Sequence, residues 1–471
     1  MRLICVGHQR LYDLQSLASV FFPGENTFEG IPEVTSELVA HPQLGCRTVL
    51  RSEHDIWESF VACESMDDHA VRDAVKRSFF DVAVQYTRFT PSWGAFTGIR
   101  PAREYARMGL DAKAFAHVFS MSQDKAELCR DIIRVRKNID IPSARKDVSL
   151  YVSIPFCPTR CAYCSFISGA GEKMLGLIPT YMETLESEIK TFAHLASGLD
   201  LSVKTVYIGG GTPATLTADQ LWRLTTLIRK EFGNDILEFT VELGRPDVIT
   251  DEKLSAVYES GVDRICINPQ TLNNNILAAI GRKHTTEQFY CAMEAAKKYP
   301  FKAVNCDLIV GLPGDTAAGF ADSLEQVIAL GAQNITVHSL CIKQGSEFKT
   351  NRADVSRYKT ASEMVDHSVF QLKRADYQPY YIYKQKHAVG ALENTGWAIR
   401  ATESLYNMIM MDDLGTVIGV GAGSSSKIIG TKSPIRVYSP KYPYEYLRDS
   451  DKIEGKMTQI EQGLYKSWRD E

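Results

Sequence analysis

The stretch that decides the fold is Ser149-Leu-Tyr-Val-Ser-Ile-Pro-Phe-Cys-Pro-Thr-Arg-Cys-Ala-Tyr-Cys-Ser-Phe166. A short apolar alternation, which predicts a strand, runs directly into three cysteines. These are Cys157, Cys161 and Cys164, spaced C-x3-C-x2-C, with a turn-forming Pro-Thr-Arg segment between the first two. Three thiolates on one loop can hold a soft metal centre.

Other cysteine chemistries fit this spacing less well. A closed zinc site needs a fourth ligand nearby, but position 166 is Phe, and the next histidine, His194, lies in a helical pattern. Disulfide pairing would leave one of the three thiols over, and three buried cysteines acting as small apolar side chains remain an alternative. A [4Fe–4S] cluster with one iron open to a further ligand is the site that takes three cysteines.

Length, charge and cysteine usage limit the class of protein. A chain of 471 residues predicts two or three domains. The formal charge of −4 gives no global attraction to nucleic acid, so no nucleic-acid partner is predicted. No apolar run approaches the ~18 residues of a membrane span. Eleven cysteines, most of them isolated, fit a reducing compartment, so we expect a cytoplasmic protein.

From residue 149 onward, strand-like and helical patterns alternate. The six predicted strands are Leu150–Ile154, Thr205–Ile208, Leu237–Glu242, Arg264–Asn268, Ala303–Val310 and Ile335–Leu340. This alternation predicts an α/β fold with a parallel sheet and helices outside it. Such sheets bind ligands at the carboxyl ends of their strands. The cysteine loop follows the first strand and is therefore expected at that end.

Groups suited to a second ligand follow the later strands. Gly209-Gly-Gly-Thr212 lets the backbone approach a ligand closely, and Arg282 could clamp a carboxylate. Asp307 lies in an apolar strand, where a charge is costly unless it is paired or bound. Taken singly, the glycine run is most simply a tight turn, Arg282 a solvated surface residue and Glu242 an ordinary strand-end carboxylate. Gln270 follows the fourth predicted strand. Their order through successive βα units is more specific than any one of them.

The cysteine loop resembles that of radical S-adenosylmethionine (SAM) proteins. Its context, YVSIPFC…C.YC, is similar to the oxygen-independent coproporphyrinogen III oxidase family. The segments Trp93–Pro101 and Gly419–Lys427 resemble the HemZ branch of that family. The resemblance implies a partial (β/α)6 barrel at 146–345. It also implies an N-terminal α+β domain of unknown role at 1–145 and a HemN-like α+β domain that covers the substrate at 346–471.

The resemblance further implies a [4Fe–4S] cluster on Cys157, Cys161 and Cys164, with SAM bound to its open iron. It implies that Glu242 and the glycine turn contact the methionyl amine, and that Gln270 and Asp307 contact the ribose. The full set of implied SAM-binding residues is Tyr163, Gly209, Gly210, Gly211, Thr212, Glu242, Gln270, Arg282 and Asp307. Tyr151 is the expected catalytic residue.

The implied reaction is oxidative decarboxylation of coproporphyrinogen III propionates to vinyl groups, with an electron donor such as flavodoxin or ferredoxin. Two residues depart from the oxidase pattern: Ser153 replaces a histidine, and Phe166 replaces an additional cysteine. The alternatives are therefore a haem-binding or haem-trafficking protein, or another radical reaction on haem such as methylation or ring opening. Lys384, Lys386 and Arg400 are candidates for pairing with substrate carboxylates.

Overall fold

The computed structural model describes residues 1–22, 33–164, 169–341, 355–386, 388–430, 433–449 and 451–469. The chain divides into two compact units. The first contains residues 1–134, 348–362 and 382–394, and the second contains 135–347, 363–381 and 395–471. The division into three domains at residues 145 and 345 stays a prediction.

The first unit is built on a four-stranded sheet with helices. Its elements in chain order are β1 (Arg2–Val6), α1 (Leu11–Phe21), β2 (Glu33–Val39), β3 (Gly45–Arg51), β4 (Ile56–Ala62), α2 (Asp68–Thr87), α3 (Pro101–Met108), α4 (Ala112–Phe119) and α5 (Gln123–Arg136), whose end belongs to the second unit. The strands lie in sequence order, with β1 parallel to β2 and the others antiparallel. Leu14, Val34, Leu50 and Phe79 are fully buried in the core that joins the sheet to α1 and α2.

A buried polar network holds the Trp93–Pro101 loop in this unit. The Glu393 carboxylate accepts hydrogen bonds from Lys125 Nζ at 2.6 Å and from Trp93 Nε1 at 2.7 Å. The Lys125 and Glu393 side chains are 3% and 1% exposed. Because breaking such a pair leaves an uncompensated buried charge, the network fixes the loop against the strand that carries Glu393.

The second unit begins with the predicted alternation. Its elements to residue 339 are β5 (Asp147–Ile154), β6 (Phe156–Cys157), β7 (Gly169–Ala170), α6 (Glu172–Leu175), α7 (Ile178–Leu199), β8 (Ser202–Gly210), α8 (Ala218–Phe232), β9 (Glu238–Gly244), α9 (Asp251–Glu259), β10 (Arg264–Ile267), α10 (Asn274–Ala279), α11 (Thr286–Ala296), β11 (Ala303–Val310), α12 (Ala317–Ala329) and β12 (Asn334–Ser339). Strands β5, β8, β9, β10, β11 and β12 are neighbours in that order, and every pair is parallel. The predicted α/β class and the six-strand alternation are confirmed.

The C-terminal elements extend the same sheet at both edges. They are α13 (Val355–Arg374), β13 (Gln378–Lys384), β14 (Glu393–Ala398), α14 (Leu405–Asp412), β15 (Thr416–Val420), β16 (Ser425–Ile428), β17 (Ile435–Tyr438), α15 (Pro443–Arg448) and α16 (Lys452–Arg469). The complete order is β13-β14-β12-β11-β10-β9-β8-β5-β15-β16-β17. Strand β14 runs antiparallel to β12, and β15 runs parallel to β5. Among the described residues, no helix is long and apolar enough to cross a membrane.

The glycine-rich segment at 419–427 packs against the first barrel strand. A Cβ at Gly421, where φ is +85°, would lie 2.7 Å from the Ser153 carbonyl oxygen, so only glycine fits there. Glu188 is fully buried on α7 and accepts hydrogen bonds from the Gly421 amide, the Tyr446 hydroxyl and Lys456 Nζ, each at 2.7 Å. These bonds fix the segment and the C-terminal helices to the barrel.

Candidate functional site

The three-cysteine loop lies at the carboxyl end of β5, as the sequence predicts. Cys157 ends the short strand β6, and the Cys164 amide donates to the Cys161 carbonyl at 3.0 Å, which forms a turn between the second and third thiols. All three cysteines are partly buried and none is in a disulfide. The Cys157 Sγ lies 3.5 Å from the Thr212 hydroxyl. The loop therefore faces the glycine turn that follows β8.

The glycine turn supports the entry to this loop. The Gly211 amide donates to the Ile154 carbonyl at 2.9 Å, and the Thr212 amide donates to the Phe156 carbonyl at 2.7 Å. A Cβ at Gly211 would lie 2.5 Å from the Phe156 oxygen, so a side chain cannot be accommodated. Because an ammonium group only donates hydrogen bonds, a bound amine would find its backbone acceptors among the carbonyl oxygens of the turn.

The described cysteines do not converge on a single ion. Within the described ranges, no group of three or more His, Cys, Asp or Glu side chains could hold a metal ion. In an iron–sulfur cluster each cysteine thiolate binds a different iron, so the ligands surround a larger body rather than meet at one point. The [4Fe–4S] cluster on these three cysteines stays a prediction.

Glu242 and Asp307 line one cavity of about 220 Å³, together with Tyr207 and His338. The same cavity reaches Arg264 and Asn334, the first residues of β10 and β12, so it extends along the inner face of the sheet. The Tyr207 hydroxyl donates to Glu242 Oε2 at 3.0 Å. Burial, reinforced by the negative charge of Asp307, raises the pKa of Glu242 to about 7. Glu242 therefore exchanges its proton near neutral pH.

Asp307, in contrast to Glu242, stays ionised at neutral pH. Burial alone would raise its pKa, but His338, Asn305 and Thr336 together lower it below the ordinary value. Asn305 Nδ2 donates to Asp307 Oδ1 at 2.8 Å, and His338 Nε2 lies 3.6 Å from Asp307 Oδ2. The cavity thus holds one carboxylate that is ionised and a second that titrates. Such separated pKa values are typical of functional sites.

Gln270 and Arg282 are buried with polar atoms that no described group satisfies. Gln270 is 8% exposed and Arg282 is 7% exposed. Gln270 Oε1 and Arg282 Nε have no hydrogen-bond partner within the described part of the chain. Gln270 also has φ of +68°, an unusual conformation for a residue with a side chain. Buried polar atoms are normally paired, so these two indicate a ligand that supplies partners.

The structure brings the predicted residues into one connected set. The Gln270 amide donates to the Asp307 carbonyl at 2.9 Å. A Cβ on Gly209 would lie 3.0 Å from Glu242 Oε2, so the glycine turn borders that carboxylate. Arg282 lies beside both Tyr163 and Cys161. The assignment of each residue to a part of SAM stays a prediction.

Tyr151 lies in a stack of three tyrosines at the barrel. Its ring is 6.4 Å from that of Tyr207 and 6.5 Å from that of Tyr406, with interplanar angles of 22°. Tyr207 and Tyr406 are 4.7 Å apart. Burial raises the pKa of Tyr151, so the phenol stays neutral. Tyr151 thus connects to Glu242 through Tyr207, and its catalytic role stays a prediction.

The candidates for binding substrate carboxylates are placed differently. Lys384 is 7% exposed in the first unit, where Nζ donates to the Phe96 carbonyl at 2.9 Å and lies over the Trp93 ring. Its ammonium group thus faces into the protein, and its role toward a substrate carboxylate stays a prediction. Lys386 lies over the Tyr12 ring, and Arg400 is exposed. Phe166 lies outside the described residues.

Sequence reasoning missed Arg245, Asp247, Tyr207 and His338. Arg245 and Asp247 follow β9 three and five residues after Glu242. The rule that placed Glu242 at the ligand end of the sheet applies equally to them. Tyr207 lies three residues before the end of β8, and His338 lies one residue before the end of β12. Successive side chains of a strand point to opposite faces of the sheet, and this alternation could have predicted that both lie on the inner face.

The radical SAM superfamily model matches residues 151–327. The oxygen-independent coproporphyrinogen-III oxidase-like protein HemZ of Bacillus subtilis (strain 168) is 34% identical over 418 residues, which cover 85% of this chain and 83% of that protein. This chain belongs to the HemZ-type family of radical SAM proteins.

The HemZ-type chain is also similar to a protein named as a heme chaperone and to a solved oxidase structure. The heme chaperone HemW of Lactococcus lactis subsp. lactis (strain IL1403) is 32% identical over 68% of this chain and 81% of that protein. Among solved structures, coproporphyrinogen III oxidase HemN from Escherichia coli matches with a TM-score of 0.52 and 22% identity, over 70% of this chain and 72% of that one. The HemN match supports the partial-barrel fold of the HemZ-type chain.

Proposed function

We propose that this protein is a radical SAM enzyme of tetrapyrrole metabolism that oxidatively decarboxylates propionate side chains of coproporphyrinogen III to vinyl groups. The observation that carries the proposal is that ligand groups from four βα units meet beside the three-cysteine loop. The 34% identical relative, which is named as oxidase-like, supports the substrate class.

The residues present fit a [4Fe–4S] cluster and SAM. The three cysteines lie on one loop and none is in a disulfide, and the buried Gln270 Oε1 and Arg282 Nε need partners that no described residue supplies. A side chain at Gly211 would collide with the Phe156 backbone, so glycine lets this turn pack closely against the start of the cysteine loop. The cluster ligands would be Cys157, Cys161 and Cys164, and the SAM-binding groups would be Tyr163, Gly209, Gly210, Gly211, Thr212, Glu242, Gln270, Arg282 and Asp307.

When bound, the cluster and SAM would supply radical chemistry that takes one hydrogen atom from a propionate, while the carboxylate leaves as carbon dioxide and the second electron passes to a one-electron acceptor. The residues of the chain would bind SAM and orient it. The Glu242 carboxylate would accept hydrogen bonds from the SAM amine, and the Arg282 guanidinium would pair with its carboxylate. Asp307 and Gln270 would hydrogen-bond the ribose hydroxyls. Two carboxylates lining one cavity also favour a sulfonium cation electrostatically.

The remaining parts of the chain are assigned by the same proposal. Residues 346–471 would cover a tetrapyrrole at the end of the barrel, and Tyr151 would take part in the reaction. A one-electron carrier such as flavodoxin or ferredoxin would reduce the cluster. Residues 1–145 receive no role in the reaction.

A second function is favoured by a specific observation. HemW, named as a heme chaperone, is 32% identical over 81% of its own length. Ser153 also stands where the oxidase pattern has histidine. A haem-binding or haem-trafficking protein with the same barrel is therefore the alternative.

The test is anaerobic reconstitution of the cluster, followed by addition of dithionite, SAM and coproporphyrinogen III, with products measured by mass spectrometry. The proposal expects deoxyadenosine and vinyl products from the wild-type protein and neither from Cys161→Ala. The matched control is Cys291→Ala, because Cys291 is an exposed cysteine on α11. Deoxyadenosine without decarboxylation would refute the oxidase assignment, and tight haem binding without SAM cleavage would support the alternative.

A further inference from the structure

Arg245 is an almost completely buried arginine at the cluster end of the barrel. It directly follows Gly244, the last residue of β9, and is 2% exposed. Its Nε and Nη2 donate to the two carboxylate oxygens of Asp247 at 3.0 and 2.7 Å. Burial would raise the pKa of Asp247, but Arg245 holds it below the ordinary value, so the pair is ionic.

The remaining donor of Arg245 reaches the three-cysteine loop. Nη1 donates to the Thr159 hydroxyl at 2.6 Å and to the Thr159 carbonyl at 3.3 Å. Thr159 is the middle residue of the three-residue gap between Cys157 and Cys161. The guanidinium therefore holds both the side chain and the backbone of the loop at its midpoint.

The second gap of the loop is held from another element. The Ala162 amide, between Cys161 and Cys164, donates to the Ile280 carbonyl at 3.0 Å. A Cβ on Gly281 would lie 3.3 Å from the Arg160 carbonyl oxygen, so this backbone lies against the loop. The 280–281 backbone thus secures one gap, while Arg245 is the side chain that secures the other.

We propose that Arg245, oriented by Asp247, is a positioning residue that sets the spacing of Cys157 and Cys161 for the cluster. The inference rests on the proposed cluster and SAM site and adds a residue to its support. Residues that orient metal ligands typically change metal affinity 10–100-fold when replaced. An arginine is needed because its guanidinium donates to the Asp247 carboxylate through Nε and Nη2 and to Thr159 through Nη1. A lysine ammonium cannot make both sets of hydrogen bonds.

The experiment measures iron loss from the reconstituted full-length protein to a ferrous chelator under anaerobic conditions. Arg245→Gln is expected to release iron at least tenfold faster than wild type, and Arg245→Lys is expected to behave like Arg245→Gln. The matched control is Arg223→Gln. Arg223 is an exposed arginine on α8 that pairs with Glu186 of α7 at 3.0 Å, and its variant should release iron at the wild-type rate.

A spectroscopic readout separates positioning from general stability. In Arg245→Gln, the change that SAM causes in the electron paramagnetic resonance spectrum of the reduced cluster should be weakened or broadened. Thr159→Val retains the Arg245–Asp247 pair and removes only the hydroxyl acceptor. It should show the same changes to a smaller degree, with the apoprotein unfolding at the wild-type temperature.

The outcomes distinguish the two proposals. A wild-type protein that takes up no cluster would overturn the proposed function and this inference together. A wild-type protein that holds its cluster, with Arg245→Gln and Thr159→Val releasing iron at the wild-type rate, would overturn this inference alone. If Arg245→Gln does not fold, Thr159→Val decides by the same criterion.

Discussion

Replacing Glu242 by glutamine should make the protein without ligands more stable while weakening its binding of SAM. Burial raises the pKa of this carboxyl from 4.5 to about 7, so its charged form is destabilised in the folded protein. At about 1.4 kcal/mol per pKa unit, the shift corresponds to at most about 3.5 kcal/mol of folding free energy. Glutamine has no charge and can still accept the hydrogen bond from Tyr207, which is 3.0 Å long.

The pH dependence of this gain has a definite sign. Between pH 4.5 and about 7 the folded protein holds the Glu242 proton more tightly than the unfolded chain does, so the wild-type stability falls as pH rises through this window. Glu242→Gln removes that loss. The stabilising effect of the variant should therefore be small at pH 5 and reach its full size at pH 8.

The assay is thermal unfolding of the apoprotein at pH 5 and pH 8, with isothermal titration of SAM to the reconstituted protein. Glu294→Gln is the control, because that side chain is 61% exposed on α11 and should shift neither measurement. We expect SAM binding to Glu242→Gln to weaken at least tenfold. A variant that is less stable than wild type at pH 8, or equally stabilised at both pH values, would refute the reasoning.

The remaining predictions concern a buried ion pair, a close backbone approach and a hydrogen bond. Glu188→Gln should lower stability by about 3 kcal/mol, measured by thermal unfolding, because Lys456 stays buried without its counter-charge. Gly211→Ala should abolish cluster uptake, measured by iron content, because its Cβ collides with the neighbouring backbone. Tyr207→Phe should shift the pH dependence of SAM binding to higher pH, because its hydroxyl lowers the pKa of Glu242.

Controls for these predictions exist in the same chain. Gly198→Ala should be tolerated, since a Cβ there meets no atom within 4 Å. Normal iron uptake by Gly211→Ala would contradict the packing argument, and an unchanged unfolding temperature in Glu188→Gln would contradict the ion-pair argument. A Tyr207→Phe profile at the wild-type pH would show that the phenol does not influence Glu242.

The barrel strands were predictable because their apolar runs are long and regular. The predicted strand Ala303–Val310, for example, has the observed bounds. Strand β2 was absent from the sequence prediction because polar residues interrupt its pattern. Ser36, for example, is fully buried there and contacts Cys46. The position of β15 beside β5 was equally unpredictable, since five residues carry no signal for their partner.

The site was predictable to the extent that its residues follow strand ends. The glycine turn and Arg282 follow strands in this way, because the carboxyl ends of parallel strands meet. Glu242 was predicted to end its strand, but β9 continues to Gly244, and Asp307 lies within β11. The left-handed backbone of Gln270 has no signature in composition. Lys384 was a candidate only because of its position in the chain, and the tertiary packing that buries it has no signal in the sequence.

The end of strand β9 contributes to both parts of the proposed site, the cavity and the cysteine loop. Glu242 lies before Gly244 and faces the cavity shared with Asp307, while Arg245 lies after it and grips Thr159. Gly244 has φ of +79°, a conformation that glycine adopts without strain and that redirects the chain between these two side chains. Glu242, the proposed contact of the SAM amine, is therefore only three residues from the side chain that holds the cysteine loop. In the proposed function, such a short connection suits a reaction in which SAM must stay aligned with the cluster.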